Sequence, residues 1–165
     1  MFLRVIELRI IVFSDTHGRK NAMREVFKRN IDEKVFIFLG DGERELDEMR
    51  EEYPDKTILN VRGNCDFGSQ SPDTDIYIAN GVKLIFTHGH NHGVKYSPYR
   101  MLCLAKECGA TIALYGHTHI RSCEYVDGIY LLNPGSASQP RDYGRPCYAF
   151  IDITDKGVFC NHVDL

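Results

Sequence analysis

The chain has 165 residues, 43% of them hydrophobic, with 20 basic and 23 acidic side chains and a net charge of −3. That is one domain with enough chain for a real core, and it excludes a collagen-like repeat, a disordered tail and a disulfide-stapled miniprotein. A mildly acidic chain also lacks the broad positive field from which nucleic-acid binders draw most of their affinity, so no stable nucleic-acid partner is expected.

Residues 1–13 are apolar, but Arg4, Glu7 and Arg9 interrupt them. The run is shorter than a membrane span and has no small-residue cleavage site, so neither a leader nor a membrane partner is expected. Within it, residues 8–13 (LRIIVF) read as a strand. Residues 21–30 place Ala22, Val26 and Phe27 at helical spacing. Residues 35–39 (VFIFL) are apolar at every position, as in a strand covered on both faces. Residues 43–52 form an acidic helix with Leu46 and Met49 on one side, closed by Pro54, and 57–61 form a strand. Then the pattern changes. Strands 75–79 and 82–87 flank Asn80-Gly81, the signal of a type I′ hairpin. Helix 98–107 stops at Gly109, and 111–115 is a strand. Strands 122–126 and 129–132 flank Asp127-Gly128, and 147–153 and 157–163 flank Asp155-Lys156. Strand–helix units followed by hairpins predict mixed sheets with helices outside, in a single α/β domain spanning 1–165. The six cysteines form no CxxC pair and read as reduced thiols of a cytoplasmic protein.

Chemistry-bearing residues gather where strands end. Asp15-Thr16-His17 follows the first strand, Gly40-Asp41-Gly42 the second and Gly63-Asn64-Cys65-Asp66 the third. Thr87-His88-Gly89-His90 ends the first hairpin, and Gly116-His117-Thr118-His119 follows 111–115. Any one of these could be a turn, since Gly, Asn and Asp favour turns for their own reasons. Five in series at strand ends are better explained by one rim, because open α/β sheets bind ligands at the carboxyl ends of their strands. Residues i and i+2 of an extended chain face the same way, so Asp15 with His17, and His117 with His119, can address one ion or two adjacent ones. Imidazole, carboxylate and amide donors without a thiolate set suit Mn, Fe, Zn, Ni or Co rather than Ca.

The series DTH, GDG, GNCD, THGH and GHTH resembles the calcineurin-like metallophosphoesterase family, and NPGSASQPR (133–141) resembles its small single-domain prokaryotic phosphodiesterases. The resemblance implies two packed mixed β-sheets flanked by helices, a four-layer α-β-β-α sandwich. It implies two divalent transition-metal ions, Mn foremost and Ni, Co, Fe or Zn as alternatives. One would be held by Asp15, His17, Asp41 and His119, the other by Asp41, Asn64, His88 and His117. A bridging hydroxide would attack a small phosphodiester substrate. Two divalent ions, set against two aspartates and a hydroxide, leave such a centre with about one positive charge, enough to draw an anion to an acidic chain. Asn64, Cys65 and His90 are the candidate catalytic residues, and Asn64, His90, Asn133 and Arg141 the candidate substrate contacts.

Many members of that family carry a His where this chain has Cys65. A neutral thiol is a poorer acid and hydrogen-bond donor than imidazolium. Either Cys65 merely fills a turn or its presence biases the site toward diesters, which carry one charge fewer than a dianionic monoester. Complete donor positions argue against the alternative of a non-catalytic scaffold of the same fold. A nuclease or a phosphomonoesterase is a further alternative, and the hairpin edges could pair two copies in a homo-oligomer. His92 reads as a solvated loop residue, His162 as structural and remote from the motifs, Arg121 as a surface charge, and Asp66 as orienting a ligand or capping a turn.

Overall fold

Alternation along the first strand sets the layer on either side of it. The computed structural model describes residues 6–165, so the part of the apolar run before Ile6 lies outside the described residues. In β1 (Ile6–Phe13), Ile10 and Val12 enter one core while Ile11 and Phe13 enter another. β2 (Val35–Phe38) and β3 (Thr57–Asn60) follow in parallel, connected through α1 (Lys20–Arg29) and α2 (Glu43–Glu52). β9 (Cys147–Thr154) lies antiparallel on the other side of β1, and β10 (Gly157–Asp164) antiparallel to β9, giving the order β10-β9-β1-β2-β3.

The second sheet has the order β4-β5-β6-β8-β7. Its strands are β4 (Thr74–Ala79), β5 (Val82–Thr87), β6 (Ile112–Leu114), β7 (Ser122–Val126) and β8 (Ile129–Asn133). β5, β6 and β8 are parallel, and the outer strands pair antiparallel as hairpins. α3 (Tyr99–Cys108) carries the chain from β5 to β6.

Three apolar clusters make the four layers. Ile10, Val12, Ile37 and Leu39 meet Leu84, Phe86, Ile112 and Leu114 between the sheets. Phe13, Phe36 and Phe38 meet Phe27, Leu46 and Met49 beneath α1 and α2, and Phe27 stacks on Phe36 at 4.3 Å. Met101 and Ala105 of α3 cover Ile85, Ala113 and Leu131. All four side chains of β2 are buried, because this strand is covered by a helix layer and a second sheet. The architecture is the α-β-β-α sandwich expected.

Element ends differ from expectation by a residue or two. Pro98 sits at the N-cap of α3 rather than inside it, and Gly109 closes the helix in a left-handed conformation, φ 67°. Asn80 and Gly81 have φ of 49° and 79°, and Asp127 and Gly128 of 52° and 80°, as type I′ turns require. A short 3-10 turn, His90–His92, was not anticipated from sequence; it lies between two left-handed glycines, Gly89 and Gly93. All six cysteines are free thiols. Among the described residues no helix is long and apolar enough to cross a membrane.

Candidate metal centre

The parallel strands β1, β2 and β3, and β5 and β6, release their chains at one edge of each sheet, and the polar clusters leave from those ends. Among the described residues, eight non-glycine residues have positive φ, and five of them are Asp15, His17, Asp41, His117 and His119. Each costs about 1–2 kcal/mol for a residue with a Cβ. Backbone bonds hold the strained turns together: Asp15 N–H to the Gly40 carbonyl at 3.0 Å, His17 N–H to Asp41 at 2.9 Å, and Gly116 N–H to His88 at 3.0 Å. A Cβ on Gly63 would overlap the Asp41 carboxylate, and one on Gly116 would overlap the Ser14 hydroxyl, so these loops close only on glycine.

Within this frame one oxygen stands out. Asp15 Oδ2 accepts from Ser14 Oγ at 2.6 Å and from His117 N–H at 3.0 Å. Asp15 Oδ1 is buried with no hydrogen-bond partner. Around it stand His119 Nε2 at 3.3 Å, His17 Nε2 at 3.7 Å and His88 Nε2 at 3.9 Å. Asp41 repeats the division: Oδ1 accepts the Cys65 N–H at 2.7 Å, and Oδ2 faces His88 Nε2 at 3.4 Å and His17 Nε2 at 3.7 Å. His88 Nδ1 donates to the Leu39 carbonyl at 2.6 Å and His119 Nδ1 to the Gln139 carbonyl at 2.7 Å. A carbonyl only accepts, so both rings carry their proton on Nδ1 and turn Nε2 inward, the arrangement of a metal-ligating imidazole.

The inward atoms crowd one another as acceptors. His17 Nε2 lies 3.0 Å from His119 Nε2, and Asn64 Oδ1 lies 3.1 Å from His88 Nε2. Such a set needs a cation or shared protons between its members. Burial opposes ionisation of Asp15, yet the nearby imidazoles of His119, His17 and His88 and the hydrogen bond from Ser14 hold its carboxyl well below the usual range. Burial likewise opposes ionisation of Asp41, which His88 and the Cys65 N–H lower. The nearby Asp15 carboxylate raises His17, while His88 rises because Asp41 and Asp15 outweigh its burial. Burial, helped by His88 and Lys95, pushes His117 down to about 4 and keeps it neutral.

Three sets of donor atoms, each within 4.8 Å of one another, lie side by side: Asp15, His17 and His119; His17, Asp41 and Cys65; Asp15, Asp41 and His88. Asp15 and Asp41 each belong to two sets, and Asn64 reaches the third through His88. His117 stands outside these sets, its ring 5.1 Å from that of His88. The donors therefore fit a metal site.

The remaining candidates separate. His90 is half-buried, with its ring 5.4 Å from His88 and 6.1 Å from His117, and its Nδ1 is without a partner. Cys65 is exposed, and burial together with Asp41 raises its pKa, so it stays a thiol. Arg141 is exposed, and its backbone N–H bonds the His119 carbonyl at 2.9 Å. Asn133 corrects its expected place on the rim. It is fully buried, and its amide donates to the Gly116 carbonyl at 3.0 Å and Thr118 Oγ1 at 2.9 Å while accepting from Gly135 N–H. It holds the 116–119 turn and has no group left for a substrate. His162 is not remote from the motifs either, because its Nε2 meets the Asn133 carbonyl at 2.7 Å. His92 is half-buried rather than solvated. Arg121 is no idle surface charge: it binds Asp142, Asp164 and the Arg145 carbonyl.

Sequence reasoning left Asp66 with a vague role. Its carboxylate accepts four backbone N–H groups, from Asp41 at 2.7 Å, Gly42 at 2.8 Å, Glu43 at 3.0 Å and Gly63 at 2.8 Å. It thereby ties two motif loops together and caps α2 from outside the helix. Ser136 and Ser138 were missed. Ser136 Oγ bonds the Asp15 carbonyl at 2.8 Å, and Ser138 Oγ the Thr16 carbonyl at 2.9 Å. Their signal was the segment NPGSASQPR, in which only Asn133 and Arg141 were singled out.

The profile of the calcineurin-like phosphoesterase superfamily domain matches residues 8–156. The chain is 30% identical over 157 residues to the probable metallophosphoesterase YsnB of Bacillus subtilis, covering 95% of this chain and 91% of that protein. It is 27% identical over 154 residues to the phosphodiesterase YfcE of Escherichia coli K12, covering 87% and 71%. A crystal structure of a predicted phosphoesterase from Streptococcus pneumoniae TIGR4 superposes with a TM-score of 0.83 at 32% identity, covering 95% and 89%. The orphaned aspartate oxygen, the inward imidazoles and these likenesses agree: the chain belongs to the calcineurin-like phosphoesterase superfamily.

Proposed function

We propose that the chain is a dinuclear metal-dependent phosphodiesterase acting on small phosphodiesters in the cytoplasm. The observation that carries this reading is Asp15 Oδ1, buried without a partner among three inward imidazole nitrogens. When bound, a pair of divalent ions would supply an activated water and hold the phosphate oxygens. Asp15, His17, Asp41, His88 and His119, with Asn64 and His117 beside them, would hold those ions; Mn leads because nitrogen and oxygen donors without thiolate suit it, with Ni, Co, Fe or Zn as alternatives.

Asn64 and His90 face the substrate in this reading, and Arg141 stands at the rim. Cys65 supports the choice of diester. Its thiol stays protonated, so it brings no positive charge to neutralise the second charge of a monoester. The name of the relative YfcE agrees with the same choice. Six free thiols suit a reducing compartment.

The test is turnover of bis-p-nitrophenyl phosphate by metal-stripped protein given Mn, Ni, Co, Zn or Mg separately. Turnover with at least one ion is expected, and none with any would refute the enzyme. Full activity in Asp41→Ala would refute the site.

A further inference from the structure

A groove of about 450 Å³ borders the 116–119 turn, lined by Val94, Lys95, Tyr115, Thr118, Ile120 and Arg141. It adjoins the candidate centre through the chain itself. Thr118 lies between His117 and His119, and Arg141 is tied to the His119 carbonyl. Lys95 lines the same groove as Thr118.

The two cations of this groove are exposed, and neither has a carboxylate partner among the described residues. Arg9, Arg62 and Arg121, by contrast, are each held by an aspartate. The acid adjacent to Arg141 is also spent: Asp142 Oδ2 accepts from both the backbone and the side chain of Arg121 at 3.1 Å. Arg141 and Lys95 therefore keep their full charge toward the groove.

The other flank of the centre has the opposite sign. A cavity of about 710 Å³ that includes His17, Asp41 and Cys65 is walled by Glu43, Glu45 and Asp47, with Arg44 as its one cation. A substrate arm bearing extra negative charge is repelled there and attracted to the Lys95 side. Val94, Tyr115 and Ile120 add an apolar wall for the carbon skeleton between the two charges.

We propose that the groove between Lys95 and Arg141 is a subsite for a second phosphate, carried on one alcohol of the scissile phosphodiester. This rests on the phosphodiesterase reading and narrows its substrate class to diesters with a further phosphate. One lysine and one arginine match a phosphate dianion in charge, and the arginine adds a planar fork for its oxygens.

Binding separates this inference from catalysis. Titration calorimetry of the manganese-loaded protein would compare thymidine 3′,5′-bisphosphate with thymidine 5′-monophosphate, which differ by the one phosphate. The bisphosphate should bind about five- to tenfold tighter, and added salt should shrink the difference. In the double variant Lys95→Gln, Arg141→Gln the ratio should fall to near one, while Lys28→Gln on α1 should keep the wild-type ratio. Equal affinities in the wild type, or a preference that survives the double variant, would overturn the subsite. An intact preference in a protein that turns over no bis-p-nitrophenyl phosphate would instead count against the phosphodiesterase reading.

Discussion

Replacing Asp66 by Asn tests how the two motif loops are held. The carboxylate works along both edges: Oδ1 accepts from Gly42 and Glu43, Oδ2 from Asp41 and Gly63. Asn has the same shape but only one accepting oxygen. Whichever way the amide turns, its NH2 faces two backbone donors, so two bonds are lost and two like groups are forced together. It also removes the negative charge at the N-terminus of α2. Hydrogen bonds to a charged group contribute about 1.5–3 kcal/mol each, are not additive, and weaken where water can enter a half-buried site. The cost is therefore about 2–4 kcal/mol for Asn, close to that for Ala. At about 2–4 °C per kcal/mol for a chain of this size, the melting midpoint of metal-free protein should fall by about 5–15 °C. Because either Asp41 or the Gly42–Glu43 turn beside it loses its anchor, affinity for Mn by calorimetry should fall about 10- to 100-fold. A variant Asp66→Asn that melts within about 1 °C of the wild type and binds Mn equally would refute the reasoning.

Cys65→His places an imidazolium where a thiol now stands, and turnover of p-nitrophenyl phosphate should rise about tenfold or more; unchanged kinetics would mean that Cys65 only fills a turn. A hydrogen bond from Cys160 lowers the pKa of exposed Cys123, whereas burial pushes Cys147 up to about 11. At pH 7.5 iodoacetamide should therefore label Cys123 before Cys147, read by mass spectrometry, and the reverse order would count against the thiol contact. Burial lowers the pKa of His162 despite its bond to the Asn133 carbonyl. Its stabilising effect is thus complete above its unfolded value, about 6.5, and is lost as pH falls below it. Thermal midpoints of His162→Gln should decline less between pH 7 and pH 5 than those of the wild type, and parallel declines would remove His162 from the acid response.

The strands and helices were legible because their signals are local, whereas the packing of two sheets into four layers came only with the family resemblance. The apolar run at 8–13, the all-apolar run at 35–39 and the two type I′ turns each report a preference set within a few residues. The donors were legible because they sit beside glycines at strand ends. What stayed hidden depends on distant partners. Asn133 looks like a rim residue until Gly116 and Thr118, more than a dozen residues away, take its amide. Arg121 looks like a free charge until the loop at 142–145 and the C-terminal strand fold against it. Asp66 looks like a turn residue because three of its four bonds reach back across more than 20 residues. No periodicity in sequence encodes such pairings.

The backbone of the centre carries a cost that folding alone would not retain. Glycine or asparagine adopts left-handed φ with least strain, yet Asp15, His17, Asp41, His117 and His119 all occupy it. At about 1–2 kcal/mol each the strain comes to about 5–10 kcal/mol, comparable to the whole net stability of a small domain. Crowded acceptors at 3.0 Å and 3.1 Å, and a buried carboxylate oxygen with nothing to bond, add to it. The sandwich sustains this because its three apolar clusters and the bonds of Asp66, Asn133 and Ser136 hold the turns from behind. A cation that binds only the folded state offsets part of the cost by mass action, so folding and metal affinity are linked through the same five residues. That linkage explains why the strained positions carry imidazoles and carboxylates instead of the glycines that would make a more stable, empty turn.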